Sequence, residues 1–270
     1  SGALLWRERV ARETSSSLLY SSGRIYLIDE QGKTYVFAAA LFCATAETAA
    51  AAERQVDLEL VLAVDISSSV SIEEFNLQMG GLANAFRTPE VAAAIRVSGD
   101  RGVAVALIQW SDNRLQYLAV DWALVHDSAS AHAFADRIAA APRLVVGGGT
   151  AIGGAIKFGV EKIADNGYRG LRKVIDVSGN GHTNQGWPDR PLRDAAVALG
   201  ITINGLVILN KEPQLDAYYR ANVIGGTGAF VMTTMDFRSY AKAIIAKLTR
   251  EISGAPYAAT AEPRGFAALN

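Results

Sequence analysis

The sequence is short of the residues that carry most redox, disulfide and zinc chemistry: one cysteine, Cys43, and three histidines in 270 residues. A lone cysteine excludes an intramolecular disulfide, and it leaves the redox compartment open because exported proteins can lack disulfides altogether. His126, His132 and His182 do not show the H-E-x-x-H spacing of a zinc protease helix. Charge of one sign is also missing. With 26 Lys and Arg against 27 Asp and Glu the net charge is -1, which offers no basic surplus to a nucleic acid. No apolar run reaches the roughly 20 residues of an integral membrane helix. What is present, half hydrophobic and one-fifth charged, is the composition of an ordinary globular chain.

The first 56 residues differ in character from the rest. Ser17–Tyr20 and Arg24–Asp29 alternate like strands between the polar turns SSG and DEQGK, which predicts hairpins or a small meander. The segment resembles one blade of a quinoprotein-type β-propeller, but a single blade cannot cover its own edges, so no function follows from the likeness. Tyr35–Ala52 (YVFAAALFCATAETAAAA) joins a short apolar run to small residues with Ala-x-Ala spacing. It reads either as the end of a secretory signal peptide or as a buried Ala-rich linker helix. The first alternative makes residues 1–34 an upstream extension, residues 35–55 a signal-like segment, and the location periplasmic or secreted. Leu41 and Phe42 are too bulky for a lipoprotein anchor at Cys43.

Beyond Val56 the pattern alternates between apolar runs and amphipathic stretches. Predicted strands are Leu58–Val64, Val103–Trp110, Leu115–Val120, Lys173–Val177, Thr202–Leu209 and Ala229–Thr233. Predicted helices are Ser71–Phe86, Ser130–Ala141, Ala151–Asn166, Leu192–Leu199, Gln214–Asn222 and Phe237–Ile252. The tight turn SDNR makes its two flanking strands an antiparallel pair. Unbroken apolar strands separated by helices predict a doubly wound, mainly parallel α/β sheet with one antiparallel edge strand and helices on both faces. The expected domain covers residues 56–253, followed by a tail at 254–270. In such sheets, sites form at the carboxyl ends of the strands.

Three polar loops fall at those ends. Asp65, Ser67 and Ser69 have the spacing D-x-S-x-S; Thr150 follows three glycines at a helix start; Asn180 lies in VIDVSGNGHTN. Hard oxygen donors in this arrangement suit a small divalent ion that keeps part of its water. Serines after a strand also serve as helix caps, and Ser69 or Ser71 must cap the next helix in any case. Asp176 lies mid-strand, where pairing with a buried partner is the simpler expectation. Trp110, Trp122, Tyr218 and Tyr219 read as core or half-buried aromatics.

This order of motifs resembles the von Willebrand factor A domain and its metal-ion-dependent adhesion site, over about Val56–Ile252. VDLELVLAVDISSSVSIEEF, GGGTAIGGAI, VIDVSG, GITINGLVIL, LDAYYR and VIGGTGAFV narrow the likeness to a bacterial family of secreted or periplasmic proteins, domain of unknown function 1194. The resemblance implies metal ligation by Ser67, Ser69 and Thr150, with Asp65 and the residue at 180 acting directly or through water. It implies Mg²⁺, or Mn²⁺ or Ca²⁺, and a protein partner whose Asp or Glu carboxylate completes the coordination shell. Asn180 departs from the aspartate usual in A domains. The amide keeps an acceptor oxygen but removes a negative charge, so weaker metal binding is expected.

An enzyme reading finds little support. Ser178 lacks the G-x-S-x-G elbow, GGGTAIGG lacks the Gly-Lys-Ser/Thr ending of a phosphate loop, and Ser67 stands where an aspartyl phosphotransferase needs a second acid. His182 falls on the rim, facing a partner or solvent. The remaining alternative to adhesion is a metal-independent structural or assembly module whose serines only cap helices.

Overall fold

The computed structural model describes residues 53–254 together with the strands Leu19–Ser21 (β1), Arg24–Ile28 (β2) and Thr34–Ala38 (β3). The chain divides into two compact units, Ser1–Ala51 and Ala52–Asn270. In the first unit the three strands form an antiparallel meander in the order β1-β2-β3, with Tyr20 opposite Ile25 and Tyr26 opposite Val36. The beginning of the Tyr35–Ala52 segment is therefore strand. The rest of that segment, Ser17 and the tail after Gly254 lie outside the described residues.

The second unit is built on Arg54–Asp65 (β4), a twelve-residue strand whose last ten residues are all buried. Alternate side chains must leave a strand on opposite faces. Leu58, Leu60, Leu62 and Val64 enter one hydrophobic core and Val61 and Ala63 the other. Burial on both faces explains why this strand has no polar alternation. On the first face it packs against Ile72–Ala85 (α1), Pro89–Ser98 (α2) and Ser128–Ala140 (α3).

The other strands are Val103–Trp110 (β5), Gln116–Val125 (β6), Tyr168–Gly179 (β7), Ile201–Ile208 (β8) and Val231–Thr234 (β9). Their order is β6-β5-β4-β7-β8-β9; β5 and β6 pair antiparallel, and every other neighbouring pair is parallel. The opposite face carries Ile152–Ala164 (α4), Asp189–Ala198 (α5) and the short Leu215–Tyr218 (α6), while Tyr240–Ser253 (α7) joins the first face. From β4 the chain runs outward through β5 and β6, then crosses back to β7 on the other side of β4. The switch point, where such sheets open a crevice, is thus the carboxyl end of β4.

The expected fold class is the observed one, with corrections to single elements. Helix α2 is additional: Thr88 caps it through Val91 N–H and Pro89 occupies its first turn. Strand β6 runs five residues further than its apolar pattern suggests. The helix expected at Gln214–Asn222 is four residues of α-helix followed by a π-helical turn, Tyr219–Val223. Among the described residues no helix is long and apolar enough to cross a membrane.

Candidate functional site at the switch point

Asp65 is the last residue of β4, and the turn after it is shaped by its own carboxylate, Oδ1 of which accepts from Ser67 N–H at 2.8 Å. Ser71, not Ser69, caps α1: its hydroxyl accepts from Glu74 N–H and the Glu74 carboxylate accepts from Ser71 N–H. That leaves the Ser69 hydroxyl for the rim. It lies 3.0 Å from the Ser67 hydroxyl and donates to Asn180 Oδ1 at 2.6 Å. Ser68 faces solvent, and its N–H donates to Gly148 O at 3.1 Å, tying this loop to the glycine loop.

The glycine loop is held from two sides. The Ser111 hydroxyl, next to the end of β5, bonds Gly147 O and Gly149 O at 2.7 and 3.1 Å. Gly148 needs to be glycine, because its φ is +87° and a Cβ there would lie 2.4 Å from Ser111 Oγ. On the other side Asn184 pairs with Thr150, taking its N–H at 2.9 Å and donating to its carbonyl at 3.0 Å. Helix α4 has no cap of its own. Its first N–H groups are taken by Thr183 Oγ1, on Ile152, and by Asp189 Oδ1, on Gly153. The loop after β7 thereby fixes both Thr150 and the helix behind it.

All five predicted residues therefore meet on one rim. Asp65, Ser67, Thr150 and Asn180 are 1%, 0%, 4% and 1% exposed, and Ser69 is half-buried. Asp65 Oδ2 is buried without a hydrogen-bond partner, and so is Asn180 Nδ2. Gly179 approaches the same carboxylate, since a Cβ on it would lie 3.2 Å from Asp65 Oδ2 and 2.8 Å from the Tyr219 hydroxyl. Burial pushes the Asp65 carboxyl up to about 6 against the pull of the Ser67 hydrogen bonds, the nearby Asn180 backbone N–H and the charge of Arg143. Tyr219 is pushed well above its ordinary value, by burial first and the Asp65 charge second.

These residues fit a small hard cation. The donors are oxygens, one carboxylate oxygen is buried and unpaired, and the Thr150 hydroxyl makes no hydrogen bond to any described residue. Rotating the Asn180 amide by half a turn would let Nδ2 donate to Ser69 and leave Oδ1 as the unpaired atom, a position able to accept from metal-bound water. Among the described residues no three His, Cys, Asp or Glu side chains cluster as a metal site, so any cation here relies on hydroxyls.

Two cations not foreseen from the sequence grip the same loop. Arg143 donates to Ile66 O at 2.9 Å and Ser67 O at 3.2 Å, and Lys211 donates to Ser69 O. They bind backbone, so no motif marks them. His182 is exposed and held by Glu212 at 2.8 Å. Asp176 is buried against Lys247 of α7, as its mid-strand place suggested. Trp110 is fully buried and Tyr218 donates to Asp189 at 2.7 Å.

This fold is that of von Willebrand factor A-type domains. Proximal thread matrix protein 1 from the mussel byssus, 16% identical, aligns over 74% of this chain with a TM-score of 0.54. A structure of that protein with a zinc-occupied MIDAS motif aligns with a TM-score of 0.52 at 18% identity. This chain covers 49% of the byssus protein, about half its length. The vWF domain of the type V pili tip protein Mfa5 from Porphyromonas gingivalis, 13% identical, aligns over 75% of this chain and 97% of its own, with a TM-score of 0.52. No curated protein matches. Residues 55–256 match the family described as protein of unknown function (DUF1194), and the chain belongs to that family.

Proposed function

We propose that the rim is a metal-dependent adhesion site acting by non-covalent protein recognition. Ser67, Ser69 and Thr150 would hold a divalent ion, Mg²⁺ or Mn²⁺ or Ca²⁺, with Asp65 and Asn180 accepting from its water. When bound, the ion supplies a Lewis-acidic position for an Asp or Glu carboxylate of a partner protein. The observation that carries this reading is Asp65 Oδ2, a buried carboxylate oxygen with no side-chain partner at the rim where the Ser67 and Ser69 hydroxyls meet and Thr150 faces Gly181. The metal-occupied MIDAS motif in a byssus protein of the same fold supports it.

Everything else at the rim serves that arrangement. Asn184 positions Thr150, Ser111 and Gly148 bring the glycine loop close, and Ser71 relieves Ser69 of capping. The metal-independent alternative also has an observation behind it, because Ser67, Ser69 and Asn180 already form a closed hydrogen-bond chain. Calorimetric titration of Mn²⁺ into the full chain and into Thr150→Ala separates the two. Binding that EDTA reverses and Thr150→Ala loses supports adhesion, whereas no binding heat to either protein leaves the structural module.

A further inference from the structure

The charges around the loop after β4 are unusual for a site meant to take a cation. The only acid within it is Asp65, and two cations bind its carbonyls. Arg143 is committed: it is partly buried, bonds Ile66, Ser67 and Val145 carbonyls, and lies over the Phe75 ring at 5.8 Å. Lys211 is different. It is exposed, stands on the loop after β8 and spends one donor on Ser69 O, 2.5 Å away, the carbonyl of a residue whose hydroxyl belongs to the site.

No acid neutralises Lys211 among the described residues. Glu212 Oε2 is held by His182, while its Oε1 faces Gly181, where a Cβ would lie 3.5 Å from it and 3.9 Å from Thr150 Oγ1; Glu74 is held by Ser71 N–H and the Asn210 amide. Asp112 stands on the far side of the loop, where a Cβ on Gly148 would lie 3.3 Å from its Oδ2. An ammonium carries three donors, so two remain for a ligand arriving at the rim. A carboxylate offers two oxygens, and a metal-bound one keeps its second oxygen free.

Resting on the metal reading above, we propose that Lys211 is a specificity-determining residue that takes the second oxygen of the partner's carboxylate and selects an acidic side chain over a neutral amide. The same ammonium repels the ion. Lys211 therefore acts on metal and ligand with opposite signs. A mere loop anchor would act differently, since loosening the Ser69 loop would weaken both.

The test uses the full chain and Lys211→Gln, with Lys211→Arg as the charge-preserving control. Mn²⁺ affinity is read by calorimetry. The ligand probe is a blocked Gly-Asp-Gly peptide, with Gly-Asn-Gly as its neutral counterpart, followed by saturation-transfer NMR without metal and by Mn²⁺ water-proton relaxation with it. The expected result is Mn²⁺ binding about three- to tenfold tighter in Lys211→Gln and Gly-Asp-Gly binding weaker by a similar factor. Lys211→Arg should stay near the parent in both.

If Mn²⁺ binds the parent but Lys211→Gln changes neither affinity, or weakens both, Lys211 is a loop anchor and the inference is overturned while the metal reading stands. If Mn²⁺ binds neither protein yet the acidic peptide still binds through Lys211, the metal reading fails and the lysine's role survives. If neither probe binds the parent, both fail.

Discussion

Ser69 and Asn180, 111 residues apart in the chain, share a 2.6 Å hydrogen bond that closes the rim between β4 and β7. Its acceptor is an amide where a carboxylate would complete the usual site, so the Asn180→Asp variant should gain both an acceptor and a charge. Mg²⁺ affinity is expected to rise about tenfold or more, an increment of about 1.4 kcal/mol or above for one added charge beside the ion. Without metal the same variant should be less stable at neutral pH, because a second carboxylate joins buried Asp65. Calorimetry and thermal unfolding with and without EDTA measure both effects. An unchanged Mg²⁺ affinity would remove position 180 from any metal role.

Asn184 touches the site only through Thr150, whose N–H and carbonyl it pairs. The Asn184→Ala variant should fold, with stability lowered by about 1–2 kcal/mol because the Thr150 N–H loses its side-chain acceptor, while the backbone bond from Asn184 N–H to the Thr150 carbonyl is kept. Metal binding should weaken by about 10- to 100-fold, as for residues that orient a ligand. Urea unfolding and Mn²⁺ titration check the two numbers separately; a loss of stability with no loss of affinity would show that Thr150 does not need this support.

The parts of the molecule that could be read from sequence share one property: they are local. Strand β4 shows itself because both its faces are buried, and Asp65, Ser67, Ser69, Thr150 and Asn180 show themselves because each follows a strand or a glycine run. Helix α2 does not show itself although Thr88, Pro89 and Glu90 form a start signal, because a ten-residue helix shows few turns of periodicity. The outer half of β6 is an edge strand of mixed burial, so alternation fades along it. The break in Leu215–Val223 is invisible because the π-helical turn is made of ordinary helix formers, yet that turn brings Tyr219 against Gly179. Arg143 and Lys211 act on carbonyls from distant loops, and no spacing rule reaches that far.

Gly179 is fixed by contact rather than by backbone angle. A Cβ there would lie 2.8 Å from the Tyr219 hydroxyl, so Gly179→Ala should destabilise the domain by about 1–3 kcal/mol. That hydroxyl is buried without a protein partner, so Tyr219→Phe alone should be near neutral, and it should restore about half of the loss when combined with Gly179→Ala. A double-mutant cycle in urea measures the coupling. Strict additivity would mean that the strain lies elsewhere, against Asp65 Oδ2.

Behind the rim, Lys247 of α7 is fully buried between Asp176 and Glu251, and the Asn204 amide shares Glu251 at 2.8 Å. Burial, and then the Asp176 charge, push the Glu251 carboxyl from its ordinary 4.5 up to about 8, against the pull of Lys247. Between those values the folded chain holds a proton that the unfolded chain has released. The group's contribution to stability is therefore whole below about pH 4.5, declines as pH rises, and is gone above about 8. The slope from this one site is at most about 1.4 kcal/mol per pH unit. Urea unfolding across that window should show the parent losing stability relative to Glu251→Gln, whose side chain keeps the shape and cannot ionise. Lys247→Met, by contrast, should destabilise the domain by about 3–5 kcal/mol at neutral pH, because it leaves the buried Asp176 carboxylate without its cation. Parallel pH curves for the parent and Glu251→Gln would assign the proton to another group.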